Sequence, residues 1–245
     1  MTELSRLAVP ASKTTEGVAR RRFLAWSSTA LLGALAFGGN LPGLSIEQAF
    51  AQTPGGANGK AVDLGEGDVG ILNYAYALEQ LEAAFYTQVM KTPYANMASA
   101  DRDILTGIRD HEIAHRDFFK AALKKNAIPA LDVDFSKIDF NSRDSVLSTA
   151  ETFENLGVAA YNGAGQLLEK GEYLLLAGKI VSVEARHAAA IRHLIGMKSS
   201  GATASATPAE SPVNDKGLDQ ALKPADVLSK AGPFVKTPIT ADDIG

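Results

Sequence analysis

The motif Glu-x-x-His occurs twice in this chain, once from Glu112 to His115 and once from Glu184 to His187. Residues three positions apart on a helix share a face, so each motif can offer a carboxylate and an imidazole to one cation. These ligand types together bind hard or borderline divalent metals. About 0.2 copies of the motif are expected by chance in a chain of this composition, so two copies are a specific sign of a two-metal site.

A second pattern accompanies each motif. Glu79 stands seven residues before Tyr86, and Glu154 stands seven residues before Tyr161. Each of these pairs precedes one Glu-x-x-His motif at a similar distance along the chain. The two halves therefore look like divergent copies of one unit, and a bundle with pseudo-twofold symmetry would place one half-site from each copy around a shared centre.

The elements that must hold these side chains are helices. Apolar residues recur at helical spacing in four long segments, and no stretch of comparable length alternates as a strand would. Asp68 and either Ser99 or Asp101 are expected to cap the first two helices, and Gly171 to separate the last two. The predicted helices cover residues 67–91, 100–126, 142–170 and 172–198. The sequence thus predicts an all-α domain.

The connections between these helices are unequal in length. About eight residues join the first two helices and one or two join the last two, which favours two antiparallel hairpins. Residues 127–141 lie between the hairpins. When extended, about 15 residues reach roughly 50 Å, which is enough to run the length of a helix of about 25 residues. We therefore expect a long crossover between the hairpins.

Each predicted helix has an apolar seam that is interrupted at its middle. The interrupting residues include Glu79, Glu82, Glu112, His115, Glu154, Glu184 and His187. A carboxylate buried without a partner costs several kcal/mol, and four in one layer also repel one another. Two divalent cations would neutralise such a layer, whereas protonation would do so less completely. The alternative is a solvated helical face. His111 and His193 fall outside the seams and are expected at the surface.

From residue 68 to about residue 198 the chain resembles the ferritin-like superfamily, particularly the branch with bacterial ferritin-like domain proteins and plant desiccation-related proteins. The resemblance rests on residues 77–86, on the two Glu-x-x-His motifs and on residues 154–161. It implies a four-helix bundle of two antiparallel hairpins joined by a long crossover, with two iron or manganese ions in its core. The implied metal ligands are Glu79, Glu112, His115, Glu154, Glu184 and His187.

The resemblance also implies roles for these ligands. The glutamates of the two motifs would bridge or chelate the ions, Glu79 and Glu154 would be terminal carboxylates, and each histidine would bind one ion. Bacterioferritin-like relatives commonly place an Asp immediately before the glutamate of the motif, where it orients a metal-bound imidazole. His111 and Val183 stand at these positions here.

Four residues beside the ligands have roles that the sequence leaves open: Glu82, Glu151, Tyr86 and Tyr161. Glu82 lies one turn from Glu79 and could be an added ligand, a base that supports a ligand, or an outward-facing residue. Glu151 poses the same choice beside Glu154. The two tyrosines could hydrogen-bond ligand carboxylates, serve as redox residues or pack in the core.

Residues 1–51 are predicted to form a secretory signal peptide. The run from Arg20 to Arg22 precedes an apolar stretch over 25–37, and small residues end at Ala51, after which cleavage is expected. A stretch of about 13 residues is too short to cross a bilayer, which needs about 20 apolar residues, so no membrane span is expected in the mature protein. The arginines resemble a twin-arginine export signal, which predicts a periplasmic or extracellular location.

Two further segments flank the predicted bundle. Residues 52–66 are predicted to be a linker, and residues 199–245 a flexible linker followed by a C-terminal tail. Phe234, Val235 and Ile239 could dock the tail as an arm on this or a neighbouring subunit, or the tail could be a loose terminus. A homo-oligomer is one arrangement that such an arm would serve.

Composition narrows the function. The formal net charge is −4, and no Lys/Arg cluster with interleaved aromatic residues follows the signal peptide, so nucleic acid is excluded as a partner. The expected partners are metal ions and dioxygen or peroxide. We expect an exported di-metal protein that handles metal or reactive oxygen in stress protection. The alternatives are a di-manganese catalase-like peroxide dismutase and a non-enzymatic stress or binding protein, so the sequence does not decide whether the chain is an enzyme.

Overall fold

A computed structural model describes residues 61–197 and 213–244. The predicted signal peptide, most of the predicted linker before the bundle and the predicted linker after it lie outside the described residues. Within the described residues, no helix combines the length and the apolar character needed to cross a bilayer.

Four long helices dominate the described part of the chain. They are α1, Gly67–Lys91; α2, Ser99–Leu123; α3, Arg143–Gly165; and α4, Gly171–Met197. A short helix, α5, spans Pro224–Ala231, and the two strands, β1 at Val62–Asp63 and β2 at Ile239–Thr240, pair in parallel. The predicted all-α class is confirmed.

Two helix ends and two caps differ from the expectations. The helix α2 ends at Leu123 and continues as a 3-10 turn, and α3 ends at Gly165, so the connection to α4 is longer than expected. Asp68 does not cap α1. Its carboxylate instead accepts hydrogen bonds from the backbone N–H of Glu169 at 2.8 Å and of Lys170 at 3.3 Å. The start of α1 therefore holds the turn between α3 and α4.

The expected cap of α2 is also wrong. Ala98 occupies the N-cap position and offers no side-chain hydrogen bond. Asp101 accepts a hydrogen bond from the Tyr94 hydroxyl at 2.6 Å and pairs with Arg143 at 2.8 Å. This buried carboxylate ties the loop between α1 and α2 to the first residue of α3.

The helices form two hairpins, α1 with α2 and α3 with α4. The crossover between them starts beside the beginning of α1, where the Asn73 side chain donates to the Asn126 carbonyl at 3.0 Å. It ends at the other end of the bundle, where the Ala95 N–H donates to the Asn141 carbonyl at 3.4 Å. The crossover therefore runs the length of the bundle, as its predicted reach allows.

The crossover also covers the outer face of α1. The Gln80 side chain donates to the Pro129 carbonyl at 3.3 Å and accepts from the Leu131 N–H at 2.9 Å. Because of this cover, α1 is buried on nearly every side, whereas α2 is buried along one face. The most enclosed helix thus holds one of the predicted ligands.

Residues 213–244 pack against this same chain. The Phe234 ring meets the Phe153 ring edge-on, with centroids 4.8 Å apart. Val235 forms an antiparallel bridge with Val133 of the crossover, and Val227 of α5 is completely buried. Of the alternatives for the tail, docking on its own subunit is the one that the structure shows.

Candidate metal centre

The six predicted ligands come from all four helices of the bundle and lie at one level of its core. Helix α1 supplies Glu79; α2, Glu112 and His115; α3, Glu154; and α4, Glu184 and His187. None is more than 6% exposed. Each helix brings its ligands inward because the apolar residues one turn before and after them fix the same face toward the core.

The ligand atoms of these residues form two overlapping groups. Glu79 and His115 belong to the first group, Glu154 and His187 belong to the second, and Glu112 and Glu184 belong to both. Within each group the candidate ligand atoms lie within 4.8 Å of one another. The arrangement is compatible with two cations that share two carboxylates.

The imidazoles face the carboxylates through the same nitrogen. His115 Nδ1 lies 3.4 Å from Glu79 Oε2 and 3.1 Å from Glu184 Oε1. His187 Nδ1 lies 2.7 Å from Glu112 Oε1 and 3.4 Å from Glu154 Oε2. The two groups repeat one pattern. In each group, the histidine Nδ1 lies 3.4 Å from Oε2 of the glutamate that is not shared, which is Glu79 in the first group and Glu154 in the second.

The donor atoms fit a metal because they lack other partners. Each of the six residues has at least one buried side-chain oxygen or Nδ1 atom without a hydrogen-bond partner outside the cluster. Both oxygens of Glu112 and of Glu184, the two shared residues, are in this state. Buried polar atoms are nearly always hydrogen-bonded in folded proteins. Their convergence at one level therefore indicates a cation site.

Two tyrosines connect the ligand groups through reciprocal hydrogen bonds between α1 and α3. The Tyr86 hydroxyl of α1 donates to Glu154 Oε1, and the Tyr161 hydroxyl of α3 donates to Glu79 Oε1. Each bond occupies one oxygen of its glutamate and leaves the other, Oε2, facing the histidine. Of the roles open from the sequence, the structure shows two: hydrogen bonding to candidate ligand carboxylates and packing in the core, where both tyrosines are buried.

Glu82 breaks the symmetry between the halves. It is 5% exposed, and its α3 counterpart in the internal repeat is Gly157. A Cβ atom at Gly157 would lie 3.3 Å from Glu82 Oε1 and 3.3 Å from Glu184 Oε2. The Glu82 carboxylate thus uses space left by the missing side chain. Glu151, in contrast, is partly exposed and faces Arg192 at 3.6 Å.

His111 lies closer to the centre than expected. His111 Nδ1 is 2.9 Å from His187 Nε2, the two rings stack, and His111 is partly buried rather than at the surface. Its position in the sequence contained a signal, because it directly precedes Glu112, one of the predicted ligands. A hydrogen bond to the remote nitrogen fixes the orientation of a ligand imidazole. His193 is exposed, as expected.

Burial and neighbouring charge set the protonation of this layer. Burial raises the pKa of Glu79 to about 7 and, with the charge of neighbouring glutamates, holds the pKa of Glu82 and Glu184 well above the usual carboxyl range. Burial favours the neutral form of His115, but the facing carboxylates outweigh it and raise its pKa. Without a metal, protons therefore neutralise part of the layer.

Residues 67–197 match the ferritin-like domain family. This chain belongs to the ferritin-like family. The match extends over all four helices of the bundle and over every residue of the candidate ligand cluster. No curated protein matches the chain.

A side chain at position 157 provides a test of the candidate metal site in this ferritin-like domain. Gly157→Ala should leave the bundle folded but weaken metal binding about 10-fold or more, as changes beside metal ligands commonly do, because the new methyl group displaces Glu82 or Glu184. Affinity is measured by competition with a chelator. The control is Gly107→Ala in α2, where a Cβ meets nothing within 4 Å. Equal metal affinity in Gly157→Ala and Gly107→Ala would contradict a metal site that depends on the space beside Gly157.

The metal-free domain should lose stability as the pH rises. Since the folded state raises the pKa of Glu79 from 4.5 to about 7, it binds more protons than the unfolded chain in that range, and the free energy of unfolding falls with increasing pH. The raised pKa values of His115 and His187 act in the same direction. Urea denaturation in the presence of a chelator at about pH 5 and about pH 7.5 measures the difference.

A neutral side chain at position 82 should reduce the loss of stability that the metal-free domain shows as the pH rises. Glu82→Gln should stabilise the metal-free domain at neutral pH by on the order of 1 kcal/mol or more, since one unit of pKa shift corresponds to about 1.4 kcal/mol. Glu151→Gln, outside the cluster, is the matched control and should keep the original pH dependence. The electrostatic account fails if both variants behave like the unchanged domain.

Proposed function

We propose that this ferritin-like protein is exported and holds two iron or manganese ions, with which it handles metal or reactive oxygen in stress protection. The observation that carries the proposal is the pair of overlapping ligand groups with Glu112 and Glu184 in common. Two independent single-ion sites would each have their own set of ligands, with no carboxylate in common. The orphaned donor atoms at the same level support the same conclusion.

The residues of the chain would divide the work as their contacts suggest. Glu79 and His115 would hold one ion, Glu154 and His187 the other, and the two shared glutamates both. When bound, such ions supply electrons to dioxygen or peroxide. Tyr86 and Tyr161 keep the terminal carboxylates aimed at the centre, and the apolar residues on either side of the layer exclude water.

Glu82 would serve as the proton-carrying group of the centre. In the metal-free domain its pKa is held well above the usual carboxyl range, first by burial and then by the charges of Glu184 and Glu112, so it carries a proton at its carboxyl oxygens before the ions bind. It lies on the side of the cluster that Gly157 leaves open. A group placed in this way can donate a proton next to the reacting atoms.

Metal analysis of the folded protein tests the proposal. The protein as produced should contain two iron or manganese ions per chain, and Glu112→Ala should lose both because this residue belongs to both groups. His187→Ala should lose one ion or bind it weakly. His193→Ala on the same helix is exposed and should keep the full complement. Full metal content in the Glu112→Ala and His187→Ala variants would overturn the assignment.

The reaction separates the two candidate chemistries. Iron-loaded protein that oxidises ferrous ion with dioxygen supports an oxidase. Manganese-loaded protein that releases oxygen from peroxide, without oxidising ferrous ion, supports the catalase-like alternative, for which the ligand set would be nearly the same. Protein that binds no metal, yet is as heat-stable as protein incubated with metal, would favour a non-enzymatic scaffold.

Export is supported by the sequence before the domain. The arginines from Arg20 to Arg22, the apolar run 25–37 and the small residues ending at Ala51 fit a twin-arginine signal. That route carries folded proteins, which suits a centre filled before export. N-terminal sequencing of the exported protein should begin at Gln52, and retention of residues 1–51 would contradict cleavage. Stress protection and a relationship to the desiccation-related branch rest on the sequence resemblance.

A further inference from the structure

An apolar cavity of about 50 Å³ lies between all four helices, on one side of the ligand layer. No polar atom is exposed on its wall, so the tyrosines that line it contribute ring carbons and not hydroxyl groups. Several of the lining positions are alanines, among them Ala75, Ala160, Ala164 and Ala177. Small side chains at these positions leave the space open.

The inner wall of the cavity is one helical turn from the ligands. Its lining residues Ala75, Phe119 and Ile180 are each four positions from a ligand: Glu79, His115 and Glu184, respectively. Four residues on a helix rise about 6 Å and return to the same face. Tyr161, which also lines the cavity, donates its hydroxyl hydrogen to Glu79.

The cavity therefore adjoins one half of the centre, the half that contains Glu79 and His115. On the other side of the ligand layer, Val89, Leu105 and Ile191 are all 0% exposed, and none of them lines the cavity. Tyr86, the counterpart of Tyr161, does not line the cavity. The pseudo-twofold symmetry of the ligands is thus not matched by their surroundings.

At its outer end the cavity approaches the surface. Phe118 lines the cavity and is 40% exposed. Leu174, 50% exposed, lies at the start of α4, next to Tyr173, which lines the cavity. A molecule that entered here would meet apolar side chains from the surface to the turn beside the ligands.

The size and chemistry of the cavity select its occupant. An apolar cavity of about 150 Å³ binds benzene or xenon and stays free of water, so about a third of that volume suits a molecule the size of a dissolved gas. Peroxide and water would lose their hydrogen bonds to solvent without replacing them on this wall. Dioxygen has no such bonds to lose.

We propose that this cavity is a binding site for dioxygen, which it delivers to the half of the centre formed by Glu79 and His115. The use of the gas rests on the proposed function, but its binding does not. The site therefore favours dioxygen over peroxide as the molecule that approaches the centre through this end of the bundle.

The paramagnetism of dioxygen provides a test in metal-free protein. Under oxygen pressure, the methyl protons of Ala160 and Ala164 should relax several-fold faster than those of Ala83 and Ala150, which are equally buried but do not line the cavity. Xenon should shift the same two resonances, and dilute hydrogen peroxide should leave them unchanged. Two results would overturn the proposal. One is equal relaxation of all four methyl groups under oxygen, and the other is a shift of the Ala160 and Ala164 resonances by hydrogen peroxide as large as the shift by xenon.

A variant that fills the cavity links binding to reactivity. Ala177→Leu adds three carbons to the wall and should abolish the selective relaxation of Ala160 and Ala164. In iron-loaded protein it should slow oxidation of ferrous ion by dioxygen several-fold with unchanged metal content. Ala189→Leu, an exposed position on the same helix, should change neither quantity. Selective relaxation that survives in Ala177→Leu would contradict the assignment of the cavity.

The two hypotheses can fail separately. Protein that binds no metal but shows selective relaxation at Ala160 and Ala164 would refute the proposed function and leave the gas site intact. Protein that binds two ions but shows uniform relaxation would refute only the gas site.

Discussion

The structure depends on the burial of acidic side chains from four helices in one dry layer. Four glutamates, at most 1% exposed, share this layer with two histidines. Apolar burial stabilises the bundle above and below, but it cannot solvate these charges. Protons can neutralise part of the negative charge of this layer. Cations can neutralise more of it, because one ion can bind several carboxylates at once. The stability of the domain and its proposed function therefore depend on the same residues.

The polar contacts around the layer restrict how those residues can move. Glu79 and Glu154 each accept a hydrogen bond from a tyrosine of the opposite hairpin, so a shift of α1 relative to α3 would disturb both ligand groups together. His187 is held from behind by His111. On the remaining side, Gly157 leaves room for a carboxylate that has no symmetry mate. A nearly symmetric set of donors thus sits in asymmetric surroundings.

The sequence predicted the parts of this structure that follow from periodicity. Helical spacing is a local property, so the four helices, their inward faces and the level shared by the six candidate ligands could be read from the chain. The missed features depend on contacts between distant segments. Asp68 has the type and position of a cap but binds the backbone of the α3–α4 turn. His111 lies one residue off the inward seam, and it is partly buried because α4 places His187 beside it.

The buried outer face of α1 was missed for the same reason. Gln80 is polar and off the seam, which favours exposure, yet the crossover supplies backbone partners for both ends of its amide. A pattern within one helix carries no information about such a partner. The docking of residues 213–244 likewise depends on aromatic and backbone contacts with the crossover, α3 and β1.

The pairing of β1 with β2 has a consequence for the order in which the domain is completed. These strands come from the beginning and the end of the described chain. The two hairpins can assemble from neighbouring helices as the polypeptide emerges, whereas this pair must wait for residues 239 and 240 to be synthesised. Pairing of these two strands is therefore a late, long-range event in folding. It provides a structural mark that distinguishes a finished domain from a nascent one.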